Sequence, residues 1–542
     1  MVEFRIGWVD KETYKILRRF TEFKGKDENG GYLYEINTDK MRKERLSIED
    51  IAPILSGLGI SLSERDVQEI KNKLIDIEIK PVKGNKVAIK PNKIFIKEFN
   101  DPEVRKTLDL RYDWDEKEFR TYPFHVTKVI DLLKNSGYNV KAELPKFNSI
   151  NVKFKGELRD YQKEALESWK KANYNGIISL PTGAGKTVVG VAGLAEVKKP
   201  TLILSYTKEQ MMQWKKALSD FSDLDANSIG LYYSDKKEIK DVTLATYQTA
   251  YKHMDELGDK FDLSIFDEAH HVPAELLRRT VLENFSQKRL GLTATPFRED
   301  DKSDDLRKLL GGIIYQKSAE ELASKNYLAD LDVEVVYTEL TPEEDEQYEK
   351  LMTTFKYNAG DRSIKQLLED AKKGDKTAKE ALSAFNNAKK LAITSKSKLP
   401  VLHKILQQEK GNKILVFTQY IDQAEEIGKM FNLNVLTSKT KKKDREQYLE
   451  QFKQTEEGAL VLTTVGDEGL DIPSANIGII AGGTGSMRQY RQRIGRILRP
   501  KPGQNKAKAY EIVTENTIEE PLSNKRRQGI MKSKNKRHFS FS

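Results

Sequence analysis

The sequence predicts an α/β protein with two doubly wound parallel-sheet domains, a small α+β module ahead of them and a helical insertion in the second. Three observations carry this. Short apolar runs alternate with helix-like stretches in two separate blocks, the pattern of parallel sheets covered by helices. A strand-free stretch dominated by helix formers lies between those blocks. At 542 residues, the chain is also too long for a single core.

In chain order, residues 1–97 mix strand-like runs (YLYEI, KVAIK, KIFIKEF) with helical ones (Ile48 to Leu58, Glu64 to Leu74), separated by Gly-Gly and Pro signals. They form the α+β module, in which Trp8 reads as core and the scattered basic residues as solvated surface. Residues 98–155 are polar and Pro-punctuated (Asp101-Pro102, Tyr122-Pro123) and read as a connector carrying a helix or two. Residues 156–330 form the first α/β domain, with strands expected at GIISL (176–180), TLILSY (201–206), VTLATY (242–247), LSIFDEAH (263–270) and RLGLTAT (289–295). Residues 331–520 form the second, with strands at KILVFT (413–418), NVLTS (434–438), ALVLTT (459–464) and IGIIAG (477–482). Its insertion, 341–395, has apolar positions at helical spacing, as packed helices require. Between Lys356 and Lys398 eleven cations stand against five acidic residues, which suits either a DNA-facing clamp or a solvated face. Residues 521–542 read as a flexible basic tail.

Composition narrows the function classes. With 38% hydrophobic and 32% charged residues the chain reads as globular, and the absence of Cys excludes disulfides, thiolate zinc sites and Cys-ligated iron–sulfur clusters. No uncharged apolar run reaches the roughly 18 residues of a membrane span, and the charged N-terminus does not suit a signal peptide. A cytoplasmic, nucleoid-associated protein is expected. The net charge is +10, but from Leu522 onward lie seven cations and no acidic residue, so the remaining body carries only +3. Polyanions must therefore be met through local patches.

The chemistry concentrates in three stretches. Pro181-Thr182-Gly183-Ala184-Gly185-Lys186-Thr187 follows an apolar run and precedes VVGVAGLAEV. Strand, Gly-rich turn and helix wrap polyphosphate, since glycines let amide groups converge and the helix N-terminus adds its positive end. Lys186 would reach the β and γ phosphates of ATP, and the Thr187 hydroxyl would hold Mg²⁺. Leu180 stands where the strict motif has glycine. Asp267-Glu268-Ala269-His270 ends another apolar run, which places the carboxylates at the C-terminal edge of a sheet; Asp267 suits Mg²⁺ and Glu268 suits an attacking water. In MRQYRQRIGRILR, ending at Arg499, Arg493, Arg496 and Arg499 lie three apart on one helix face. Such a face needs an anion, either the γ-phosphate or the DNA backbone, and spacing does not separate the two.

The full set resembles superfamily 2 helicases and translocases: LRDYQ (158–162), PTGAGKT, DEAH, GLTATP (291–296), KILVFT, TTVGDEGLDIP (463–473) and QRIGRILR (492–499) stand in that family's order. Within it, Arg298-Glu299-Asp300 after GLTATPF, the helical insertion and VGDEGLD (465–471) resemble the XPB (Rad25) branch in its shorter archaeal form. DEAH departs from that branch's commoner valine form.

The resemblance implies two RecA-like domains, with the insertion as a thumb and residues 1–97 as a damage-recognition-like module. Gln162 would read the adenine edge and Asp471 the ribose or interdomain contact; Thr182, Gly183, Ala184 and Gly185 complete the ATP loop. Thr293 and Thr295 would couple hydrolysis to the DNA path, and Arg298, Glu299 and Asp300 would separate or grip strands. Gln492, Arg496 and Arg499 would face the γ-phosphate. The activity implied is a DNA-dependent ATPase moving 3′ to 5′ on duplex or forked DNA, in excision repair or DNA opening, with a nuclease or a repair or transcription factor as partner. An RNA helicase with the same core, and a DNA-binding platform with weak ATPase that recruits a nuclease, are the alternatives. The lack of Cys removes an iron–sulfur helicase.

Overall fold

The computed structural model describes the chain except residues 1, 29, 45, 85, 92–95, 273–274, 295–302, 326, 328–329, 464–474, 484–505, 528–534 and 539–542. It forms two compact units: Met1–Phe147 together with His253–Lys260 and Arg279–Phe285, and the rest of the chain from Asn148.

The first unit holds two sheets. Alternation in Glu3–Ile6 buries Phe4 and Ile6, and this strand joins Tyr32–Ile36 and Thr21–Lys26 in an antiparallel sheet. Helix Ile48–Gly57 opens on a capping box between Ser47 and Asp50, and its Ile51 and Leu55 meet Leu17, Phe20 and Met41 in the core. The second sheet runs Arg111–Asp113, Glu118–Thr121, Lys86–Pro91, Ile77–Val82, Val140–Ala142.

Two sequence expectations change here. Strands on either side of residue 97 pair, Ile89 with Phe119 and Ile77 with Val140. The stretch expected as a connector thus supplies three strands to a sheet and, as far as Phe147, belongs to the first unit. Three- and four-residue strands rich in Arg, Asp and Glu carry no apolar run, so they read as loop. Trp8 is 80% exposed rather than core. Phe285, far along the chain, fills this unit's second core beside Phe99 and Val129.

The second unit contains both parallel sheets. The first runs Lys236–Lys237, Ile229–Tyr233, Val242–Thr246, Thr201–Ser205, Leu263–Asp267, Lys288–Thr293, Asn175–Ser179, Ile313–Gln316, parallel throughout except its first pair. Three of its inner strands, Thr201–Ser205, Val242–Thr246 and Leu263–Asp267, are buried at every position, as expected of strands covered on both faces. The second runs Asn434–Leu436, Gly458–Thr463, Lys413–Thr418, Ile477–Ile480, Lys506–Thr514, Asp330–Thr338, Asn535–His538, and every pair is parallel. Asp330–Thr338 and Lys506–Thr514 pair over nine positions, yet neither is apparent in the sequence, since alternating charges (LDVEVVYT, KAKAYEIVT) hide the apolar half. Residues expected as a flexible tail carry part of helix Glu519–Arg527 and strand Asn535–His538, which pairs with Glu334–Tyr337. Among the described residues no helix is long and apolar enough to cross a membrane.

The insertion comprises helices Pro342–Ala359, Ile364–Lys372 and Lys376–Ile393. Ala378, Ala381, Ala388 and Ala392 are buried on the third, where small side chains let the helices approach closely. Glu344 ties the two ends of the insertion together. It completes the capping box with Thr341, and its carboxylate accepts from Ser395 Oγ (2.5 Å) and Lys396 N (2.9 Å). Of the insertion's cations, Arg362 is engaged internally, on Asp370 and Asp375.

Beyond the insertion, buried Lys398 donates to Glu519 (2.7 Å) and to the carbonyls of Ala481 and Ile512. Here the ion pair joins the helix after the insertion to strand Lys506–Thr514, to the residue following strand Ile477–Ile480 and to helix Glu519–Arg527.

Candidate active site

Because the strands of the first sheet are parallel, Ser179, Asp267 and Thr293 end at the same edge, and the chemistry gathers there. Leu180 N donates to the carbonyl of Thr293, so the phosphate loop leaves the sheet beside the GLTAT strand. Gly183 (φ 85°) and Gly185 (φ 75°) hold left-handed backbone, which a side chain would strain. A Cβ on Gly185 would also fall 2.6 Å from Gln162 Nε2. Helix Lys186–Val197 starts directly from Gly185 and brings Lys186 and Thr187 into its first turn.

The LRDYQ segment leans on this loop. Tyr161 Oη (2.8 Å) and Gln162 Nε2 (3.1 Å) both donate to the carbonyl of Ala184. Gln162 is buried, and its Oε1 accepts from Arg159 N as the helix begins. In this conformation Gln162 therefore braces the loop. Tyr161 plays the same part and was not among the residues the motifs single out, because a tyrosine beside a motif glutamine reads as core. Lys186 Nζ rests on the carbonyl of Leu180 (3.3 Å).

Asp267 is the last residue of its strand and is buried. Burial pushes its carboxyl up from the ordinary range, while the Trp214 hydrogen bond and the nearby Lys186 ammonium pull it down. Its carbonyl accepts from Tyr247 Oη (2.9 Å), and burial together with the Asp267 and Glu268 charges raises that phenol well above its usual value. Glu268 takes a left-handed conformation (φ 48°, ψ 50°), which is strained for a residue with a side chain. The strain turns Glu268 out of the strand direction. His270, also buried, lies 3.3 Å from the Glu268 carboxylate, and its Nδ1 is 2.9 Å from Thr293 Oγ1. The one nitrogen, His270 Nδ1, therefore stands within contact distance of both Glu268 and the GLTAT strand.

The residues present suit ATP with Mg²⁺. Thr187 and Asp267 offer hard oxygen donors of the kind Mg²⁺ takes, the ammonium of Lys186 is close enough to influence Asp267, and two left-handed glycines shape the cradle. Thr295, Arg298, Glu299, Asp300, Asp471, Gln492, Arg496 and Arg499 lie outside the described residues. The structure brings together Gln162, the loop 182–187, Asp267, Glu268 and Thr293.

A phosphate loop and a DEAH segment on one edge of a parallel sheet, followed by a second all-parallel sheet, define the helicase class of ATPases. The family described as "Type III restriction enzyme, res subunit" matches residues 155–298, and "ERCC3/RAD25/XPB C-terminal helicase" matches 372–535. The "DNA 3'-5' translocase XPB2" of Sulfurisphaera tokodaii is 42% identical over 70% of this chain and 86% of its own. The "DNA 3'-5' helicase XPB" of Kineococcus radiotolerans is 29% identical over 85% and 74%. A "General transcription and DNA repair factor IIH helicase/translocase subunit XPB" from Enterocytozoon bieneusi is 26% identical over 97% and 90%. The chain belongs to the XPB (Rad25) helicase family.

Proposed function

We propose that this protein is an ATP-driven DNA translocase of XPB type, moving 3′ to 5′ and acting in nucleotide excision repair or DNA opening. The observation that carries the reading is the contact of His270 with both Glu268 and Thr293. Both contacts are made by His270 Nδ1, which supports coupling between a carboxylate suited to activate water and the strand that precedes Thr295 and Arg298-Glu299-Asp300 in the sequence. The names of the relatives supply the direction of travel and the DNA substrate.

Lys186 moves from the Leu180 carbonyl to the β and γ phosphates, and Gly183 to Thr187 present backbone amides to them. Thr187 and Asp267 would hold Mg²⁺, which when bound would offset charge on the transferring phosphoryl group. Glu268 orients the attacking water and takes its proton at the carboxylate. Gln162 turns from the loop to the adenine edge, and Asp471 meets the ribose or the interdomain contact. Gln492, Arg496 and Arg499 reach the γ-phosphate from the second domain, so hydrolysis releases that closure. Arg298, Glu299 and Asp300 grip or part the strands. DNA is held through its phosphates, and a nuclease or a repair or transcription factor is the partner class. The protein works at the nucleoid.

Measuring ATP turnover with and without duplex DNA tests this. DNA-stimulated turnover is expected; turnover that duplex DNA leaves unchanged contradicts a DNA motor, and stimulation by RNA alone points to the RNA helicase alternative.

A further inference from the structure

Two tryptophans are fully buried in the first parallel-sheet domain, and each must place its indole N–H. Trp169 does so in the ordinary way, donating to the backbone carbonyl of Arg289 (3.0 Å). Trp214 instead donates to a side chain: its Nε1 lies 2.9 Å from Oδ2 of Asp267. Trp214 lies on helix Lys208–Phe221, whose Met211, Trp214 and Leu218 face the core at helical spacing. A purely packing position there needs no donor. This inference rests on the ATP-site reading, in which Asp267 is a metal-binding carboxylate.

The surroundings are built around that ring. Gly190, one turn beyond Lys186 on the phosphate-loop helix, has no room for a side chain: a Cβ would stand 2.4 Å from Trp214 Cη2 and 3.1 Å from Cζ3. Glycine inside a helix is less favourable than alanine, and here it admits the indole. On its other side, Asp267 Oδ1 accepts from Glu268 N (3.1 Å), and Tyr247 holds the backbone carbonyl. One ring therefore touches both the helix that carries Lys186 and Thr187 and the carboxylate opposite them.

We propose that Trp214 is a positioning residue for Asp267: its N–H fixes the carboxylate's rotation, and its seat against Gly190 keeps that carboxylate in register with Lys186 and Thr187. A donor that is neutral orients Asp267 without cancelling the charge that a cation needs.

The test uses the full chain labelled with 5-fluorotryptophan. Fluorine NMR gives four lines, for Trp8, Trp114, Trp169 and Trp214, and W214F assigns the last. ADP with Mg²⁺ should move the Trp214 line, and ADP with a chelator should leave it in place. W214F should lower kcat about tenfold, the scale of a lost hydrogen bond to a charged group, raise the Mg²⁺ concentration for half-maximal turnover, and change the KM for ATP less than about threefold. G190A keeps every polar group and should shift the Trp214 line without nucleotide, with the same rise in Mg²⁺ requirement; it stands in should W214F fail to fold. A folded W214F or G190A with unaltered kcat and Mg²⁺ requirement overturns the proposal, as does a Trp214 line indifferent to Mg²⁺ and ADP. Wild-type protein that binds no nucleotide overturns the site reading instead, and this inference with it.

Discussion

Glu268 shows how much a single residue's backbone can say. Its left-handed conformation (φ 48°) stores strain at the position where a carboxylate is expected to orient water. Replacing Glu268 by Gln should leave ATP bound but unhydrolysed, because the loop and Asp267 are untouched; equilibrium nucleotide binding beside single-turnover hydrolysis checks this, and lost binding contradicts the role. Replacing Lys186 by Ala should abolish turnover while DNA binding persists, measured on the same preparation. At Lys398 the expectation concerns stability. Its ammonium and Glu519 are almost completely buried, so Lys398→Met leaves a carboxylate uncompensated and should cost about 3–5 kcal/mol, with K398M/E519M recovering at least half. Denaturant unfolding followed in the second parallel-sheet domain reads both. Lys186, Asp267 and Glu268 could be nominated from the sequence because their motifs are contiguous. Trp214, Tyr161 and the Lys398 pair could not, since their meaning depends on partners up to 121 residues away.

At the scale of elements, legibility followed burial. Strands buried at every position, such as Leu263–Asp267 and Lys413–Thr418, are mostly apolar and stand out. Ile313–Gln316, at the edge of its sheet and partly exposed along its length, does not. Nor do Asp330–Thr338 and Lys506–Thr514, where alternate residues are charged; Lys508, for one, reaches Glu334 and Glu409. The insertion was legible as helix from its spacing, but the clamp that closes it was not. Glu344 serves the cap of the first helix and the turn after the third at once. Glu344→Ala should therefore destabilise the insertion by about 2–3 kcal/mol, more than the roughly 1 kcal/mol of an isolated cap. Amide hydrogen exchange across 341–396 should show both ends opening together; protection lost only in the first helical turn contradicts the clamp.

For the whole molecule, charge distribution decides how DNA is held. With the cations of residues 522–542 set aside the chain is close to neutral, so binding rests on local patches meeting phosphates and should be steeply salt-dependent with little base preference. Affinity for duplex DNA is expected to fall roughly tenfold or more between about 50 and 200 mM salt; fluorescence anisotropy across a salt series checks it, and a flat response contradicts phosphate-dominated binding. The order of strands in the second parallel sheet carries a consequence of another kind. Asp330–Thr338 is the first of its strands to leave the ribosome, yet its neighbours are Lys506–Thr514 and Asn535–His538, the last two. Nascent chain must therefore wait through some 170 residues of synthesis with a strand whose backbone edges are unpaired. At about 5–20 residues per second that is on the order of ten to thirty seconds of exposure, the interval in which a chaperone would matter most to the yield of this protein.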